Sequence, residues 1–119
     1  MTSNHDPECI FCKIIHKEIP AALVLENEHV VAFKDINPQA PVHMLVIPKA
    51  HIPKLGDLDQ ADPGVLSHMI AAANALAKQH GVFEEGYRIV FNSGDNGGQT
   101  VYHLHLHILG GRVMRWPPG

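Results

Sequence analysis

Near the C-terminus three histidines alternate with leucines, in the order His103, Leu104, His105, Leu106, His107. In an extended strand, side chains two residues apart point the same way at about 6.5–7 Å, so these three imidazoles form one row on a solvent-accessible face. A half-exposed histidine standing alone, such as His29 or His68, is an ordinary tolerated residue. Three on one face, opposite an apolar row, make a candidate site. The chemistry open to them is nucleophilic. A neutral imidazole keeps one ring nitrogen protonated against a neighbouring acceptor and presents the lone pair of the other, which can attack phosphorus and form a covalent nucleotidyl-histidine. A dianionic terminal phosphate repels that attack. An internal or esterified α-phosphate carries less charge and can release an amine, phosphate or sulfate, so nucleotide conjugates are sensible substrates.

Two further groups of residues bear on chemistry. The loop Asn92-Ser93-Gly94-Asp95-Asn96-Gly97-Gly98-Gln99-Thr100 leads directly into the histidines. Its glycines leave backbone N–H groups unobstructed, and its amides and hydroxyls add donors, a composition that could cradle a phosphate or merely connect two strands. The only two cysteines, Cys9 and Cys12, are three apart. That spacing suits a metal or redox role in a reducing compartment better than a disulfide framework, and both thiols can reach one Zn²⁺ with two nitrogen ligands from elsewhere. The alternative is that they are small buried hydrophobes beside Ile10 and Phe11.

The elements that must position these groups follow from periodicity. Phe11, Ile14 and Ile15 give a short helix ending before Pro20. Ala22 to Glu26 and His29 to Lys34 form a hairpin across Asn27-Glu28, and Asp35-Ile36-Asn37-Pro38 breaks its second strand. His43 to Ile47 is a third strand stopped by Pro48, and Tyr87 to Asn92 a fourth. Between them lies one long helix with Asp62 as N-cap, Pro63 at its first position and Gly81 past its end. Its apolar stripe is Leu66, Met69, Ile70, Ala73, Leu76 and Ala77. Val101 to Leu109 is the fifth strand, with Leu104, Leu106 and Ile108 facing inward. Antiparallel strands with grouped helices make the fold class α+β.

Composition narrows the partners. With 119 residues and 45% hydrophobic content, the chain is read as one domain over residues 7–119, behind a short flexible tail of residues 1–6. A net charge of -3 and a pI near 6.3 leave no basic excess, which speaks against nucleic acid or an anionic membrane as main partner. The first eight residues lack an apolar core and no stretch approaches about 20 apolar residues, so the expected location is cytoplasmic.

The run from Gln99-Thr100-Val101-Tyr102 through the three histidines to Ile108-Leu109-Gly110-Gly111-Arg112 resembles the signature of the histidine-triad (HIT) family. Ile10 to Ile15, Lys17-Glu18-Ile19-Pro20, Asp35 to Pro41, His43 to Lys49 and the ending Trp116-Pro117-Pro118-Gly119 look like its Hint branch, the purine nucleoside phosphoramidases. The resemblance spans about Cys9 to Gly119. It implies a five-stranded antiparallel sheet per subunit, a homodimer across a two-fold axis, and a C-terminus near the partner's site. By it, His105 is the nucleophile attacking the α-phosphorus of adenosine or guanosine 5′-phosphoramidates, releasing an amine and then the nucleoside monophosphate. His107, Asn92, Gly98 and the Thr100 hydroxyl would surround the phosphate, with His43 supporting the site and Asp35 taking the ribose hydroxyls. Phe11, Ile14, Ile19, Phe33 and Ile36 would line the base pocket, and Trp116 would shape leaving-group specificity. Without the resemblance, Asp35 reads as a turn residue making an Asx hydrogen bond. Thr100 departs from the serine commonest in this branch; the hydroxyl survives with an added methyl.

The resemblance also places the ligands of a structural zinc at Cys9, Cys12, His51 and His103, with catalysis running through histidine and no metal requirement. The competing readings are a non-catalytic purine-nucleotide-binding or scaffold module, and a dinucleoside polyphosphate or adenylylsulfate hydrolase from a neighbouring HIT branch.

Overall fold

The computed structural model describes residues 5–119. Strand β1 (Leu23–Glu26) and strand β2 (Val30–Lys34) form the expected hairpin, closed by Asn27, whose Oδ1 accepts the N–H groups of His29 (2.8 Å) and Val30 (2.9 Å). Strand β3 (Val42–Pro48) pairs with β2, and β5 (Leu106–Gly110) lies between β3 and β4 (Tyr87–Phe91). All neighbours are antiparallel, in the order β1-β2-β3-β5-β4.

The central strands are buried on both faces, and their alternation assigns each face a cover. Val30, Ala32, Met44, Val46, Leu106 and Ile108 pack with Met69, Ala73 and Leu76 of helix α2 (Val65–Gln79). Val31, Phe33, Leu45 and Ile47 point the other way and pack with Phe11, Ile14 and Ile15 of the short helix α1 (Ile10–Ile15). The result is the expected α+β architecture, a sheet sandwiched between one long helix and one short one.

Three expectations shift. Helix α2 begins at Val65 behind Gly64, two residues later than anticipated, because the Asp62 carboxylate accepts the Gly64 N–H at 2.7 Å and so caps a preliminary turn. Leu66 stays 40% exposed at the margin of the stripe, and Ala72 takes a buried place. The helix ends as expected: Gly81 at φ 76° lets Val82 N–H reach the Ala77 carbonyl (3.0 Å), a Schellman closure. The third shift matters most. β5 starts at Leu106, not Val101, so His103 and His105 lie on a lead-in outside the ladder. In the register Val46↔Leu106, Pro48 stands where a partner for Leu104 is needed, and it has no N–H to give. The Leu104 N–H instead reaches the Ile52 carbonyl at 2.6 Å.

A 3₁₀ helix over Leu55–Gln60 has no counterpart in the sequence reading. Of the expected N-terminal tail, residues 1–4 lie outside the described residues, whereas Asp6 is engaged: its N–H meets Cys12 Sγ at 3.4 Å. Among the described residues, no helix is long and apolar enough to cross a membrane.

The last residue of β5 tests how tightly its end is packed. A Cβ on Gly110 would lie 2.9–3.0 Å from three side-chain atoms of Val82. Gly110→Ala is therefore expected to destabilise the fold by about 1–3 kcal/mol, read from the denaturation midpoint. An unchanged midpoint would show that Val82 yields freely.

Candidate active site and metal centre

Odd-numbered residues of β3 and β5 face α1, and so do the two histidines of the lead-in. His43, His103, His105 and His107 therefore gather on that face of the sheet, His103 and His105 directly against the helix. The row is not solvent-accessible as expected: His43, His103 and His105 are 7%, 0% and 5% exposed, and only His107 is half-buried. For His103 and His105 the cover is α1, whose Phe11 sets its ring edge against both (centroids 5.9 Å and 5.2 Å). Burial pushes all four imidazoles below their usual basicity, His103 and His107 to about 4, so each is neutral at pH 7.

A neutral imidazole has one N–H and one lone pair, and here the neighbours decide which nitrogen holds which. The carbonyl of His103 can only accept, and it lies 2.8 Å from His105 Nδ1. The His105 proton is thus on Nδ1, and its lone pair is on Nε2. The backbone N–H of Gln39 donates to His43 Nδ1 at 3.0 Å, so His43 carries its proton on Nε2. That atom lies 2.9 Å from His107 Nδ1 and 3.4 Å from Asp35 Oδ2. His107, accepting at Nδ1, keeps its own proton on Nε2 as a donor. One ring is set to attack and the next to hydrogen-bond an oxyanion.

The fourth ring turns elsewhere. His103 Nε2 donates to the Pro48 carbonyl at 2.8 Å, which leaves its Nδ1 lone pair facing Cys9 Sγ (3.3 Å), Cys12 Sγ (3.6 Å) and His51 Nδ1 (3.2 Å). Cys12 Sγ lies 3.3 Å from His51 Nδ1, and the four donor atoms all fall within 4.8 Å of one another. A tetrahedron with Zn–N and Zn–S bonds of ordinary length has edges of roughly 3.3–3.8 Å, so the donor set fits a structural zinc. The surroundings fit as well. Cys9 Sγ accepts the Cys12 N–H (3.3 Å), Cys12 Sγ accepts the Asp6 N–H (3.4 Å), and Asp6 Oδ2 stands 3.9 Å from His51 Nε2. Burial pushes the Cys12 thiol up to about 11, so it ionises at neutral pH only beside a cation.

The remaining expected site residues are placed less evenly. Asp35 Oδ1 accepts the Asn37 N–H at 2.8 Å, the Asx turn of the plainer reading, while Oδ2 faces His43. Asn92 is half-buried just beyond β4, and Thr100 and Gly98 are exposed on the loop. Phe11, Ile14 and Phe33 are buried core, Ile19 packs at its margin, and Ile36 and Trp116 stand 101% and 82% exposed.

Several residues of the site are given no role by the sequence reading. Gln99, 5% exposed, accepts the Gly94 N–H through Oε1 and donates through Nε2 to the carbonyls of Pro53 (2.7 Å) and Val101 (3.0 Å). It ties the glycine loop to the segment after His51. Its places in that loop and at the head of the histidine-triad signature are the available signals. Asp6 fell inside the expected tail, and the Gln39 N–H and Pro48 carbonyl are backbone groups without a side-chain signature.

The HIT domain profile matches residues 16–114. The 14 kDa zinc-binding protein of Zea mays is 50% identical over 116 residues, 96% of this chain and 90% of that protein. A HIT family hydrolase from Legionella pneumophila superposes with a TM-score of 0.91 at 52% identity, covering 94% of this chain and 100% of that one. A Zn-bound histidine triad family protein from Mycobacterium smegmatis gives a TM-score of 0.77 at 33% identity, covering 88% of this chain and 76% of that one. With a five-stranded sheet, an imidazole cluster on its α1 face and a family match over most of its length, the chain belongs to the HIT domain family.

Proposed function

We propose that this protein is a hydrolase cleaving the P–N bond of purine nucleoside 5′-phosphoramidates through a covalent nucleotidyl-histidine at His105. The observation that carries this reading is the 2.8 Å hydrogen bond from His105 Nδ1 to the His103 carbonyl, which leaves Nε2 unprotonated and nucleophilic. His105 Nε2 attacks the α-phosphorus, the P–N bond breaks, and the nitrogen takes up a proton and departs as an amine. Water then attacks the same phosphorus, freeing the nucleoside monophosphate and restoring the imidazole. His107, donating from Nε2, steadies the phosphate oxygens as charge grows on them, with Asn92, Gly98 and the Thr100 hydroxyl on the loop side. His43 fixes the tautomer of His107 by donating to its Nδ1. Asp35 binds the ribose hydroxyls, while Ile19 and Ile36 offer apolar surface to the base beside the core formed by Phe11, Ile14 and Phe33.

Cys9, Cys12, His51 and His103 hold a structural zinc. Four protein donors close its coordination, so it supplies a cross-link between α1, the segment after β3 and the lead-in to β5. The reading includes a homodimer in a cytoplasmic setting. Val113 and Trp116, 85% and 82% exposed, supply the apolar C-terminal tail that would reach the partner's site.

His105→Ala is expected to lower AMP release from an adenosine phosphoramidate by at least about 10³-fold while nucleotide binding persists. Unchanged turnover in that variant would remove the proposed nucleophile. Stripping the metal with a chelator should lower the melting temperature by on the order of 10 °C, with zinc, measured by elemental analysis, leaving in step. A metal-free preparation that melts like the loaded one would defeat the zinc assignment.

Acid should destabilise the fold through His107. Its ordinary value is 6.5 and burial lowers it to about 4, so between these values the unfolded chain takes a proton that the folded chain refuses. Stability is full above 6.5 and falls as pH drops toward 4; His43, also lowered by burial, acts in the same direction. Melting curves across this range should show the fall, and His107→Asn should lessen its slope. An identical slope in the variant would rule His107 out as a source.

A further inference from the structure

We propose that His103 is a positioning residue for His105, and that metal occupancy of the Cys9, Cys12, His51 and His103 cluster sets the fraction of His105 held in the attacking tautomer. The inference rests on the reading of His105 as nucleophile only for its effect on rate. The tautomer itself is a property of the chain without substrate.

The argument starts from the early end of β5. The ladder stops at Leu106, so sheet pairing does not hold the backbone that carries His103 and His105. Their anchors are few and can be named. The Leu104 N–H reaches the Ile52 carbonyl, Gln99 Nε2 holds the Val101 carbonyl, and the His103 ring is pinned at both nitrogens. One ring nitrogen meets the Pro48 carbonyl and the other enters the metal cluster. The same residue's carbonyl, two bonds from the Cα that bears that ring, is the acceptor that keeps the His105 proton on Nδ1.

A second path runs through the helix. Phe11 sits between Cys9 and Cys12, and its ring packs edge-on against His105 at 89° as well as against His103. The residue clamped between the two thiol ligands is thus also a wall of the nucleophile's cage. Both paths start at the metal cluster and end on one imidazole.

A cation would draw the donor atoms of the cluster, 3.2–3.6 Å apart where they meet, onto one centre, whereas without it the thiols keep their protons and only weak S–H···N contacts remain at His103 Nδ1. The His103 ring then keeps one firm anchor, the Pro48 carbonyl, and the unpaired backbone that bears its own carbonyl is held less tightly against His105. A neutral imidazole without a fixed acceptor at Nδ1 gives up that proton to water and takes one on Nε2, its preferred site in solution. The lone pair that attacks phosphorus is then occupied. Charge is unchanged, and only the position of one proton differs.

The test uses the full-length ¹⁵N-labelled protein, loaded with zinc and then stripped by a chelator, at a temperature where far-ultraviolet circular dichroism shows the sheet intact. Long-range ¹H–¹⁵N correlation reads the His105 tautomer directly. The loaded protein should show the proton on Nδ1 and the stripped protein mainly on Nε2, reversing when zinc is returned. On an adenosine phosphoramidate kcat should fall on the order of 10²-fold or more with KM nearly constant, since a histidine in the wrong tautomer can cost up to about 10⁴-fold. A folded, metal-free protein whose His105 keeps Nδ1–H overturns the proposal. Where the stripped chain unfolds, zinc titrated into His51→Gln, which retains three donors, carries the same reading. A tautomer that ignores occupancy there also overturns it. Absence of phosphoramidate turnover in the loaded protein would count against the proposed function alone, because the tautomer reading needs no substrate.

Discussion

An imidazole that must act as a nucleophile at neutral pH has to be uncharged and has to carry its one proton on the nitrogen that does not attack. For the role proposed for His105, the rest of this structure depends on meeting that constraint. Burial keeps the four clustered histidines neutral, and each then receives one group that settles its tautomer: a carbonyl for His105, a backbone N–H for His43, a ring nitrogen for His107 and a second carbonyl for His103. Similar side chains thus have separate duties, fixed largely by backbone atoms.

Such an arrangement requires a rigid sheet buried on both faces. Val30, Ala32, Met44 and Val46 tie the central strands to α2, while Val31, Phe33, Leu45 and Ile47 tie the same strands to α1. The histidines occupy the α1 face where β3 and β5 adjoin. His43 is held by its own strand and His107 by the ladder on both sides, through Leu45 and Val90. His105 has no such support, which is why it relies on neighbours that the sheet does not provide.

Much of this was legible in the sequence. Asn27 marked the hairpin, the stripe ending at Gly81 marked α2, and alternation after Tyr102 put Leu104, Leu106 and Ile108 on one face. The CxxC and its two histidine partners converged as the family resemblance implied. What escaped was set by register and by backbone. Pro48 cannot donate to residue 104, but this matters only once β3 and β5 are aligned, so the strand was read five residues too long at its start. The histidine row was read as open because nothing in its own spacing shows that Phe11, more than ninety residues earlier, lies across it. Carbonyls and amides that choose a tautomer have no side chain to notice.

Cys9 has a second duty besides its place in the metal cluster: its sulfur accepts the Cys12 N–H and so serves as the N-cap of α1. Six residues are too few to hold a helix in water alone, and the His103 partner of that sulfur is 94 positions away. The helix therefore depends on tertiary contacts, the packing of Phe11, Ile14 and Ile15 on the sheet together with the approach of the cysteine sulfurs to His103. Without α1 in place, Val31, Phe33, Leu45 and Ile47 would lie bare on the sheet. Docking of a six-residue helix is accordingly also a matter of solubility, as self-association of that uncovered face competes with the closing of α1.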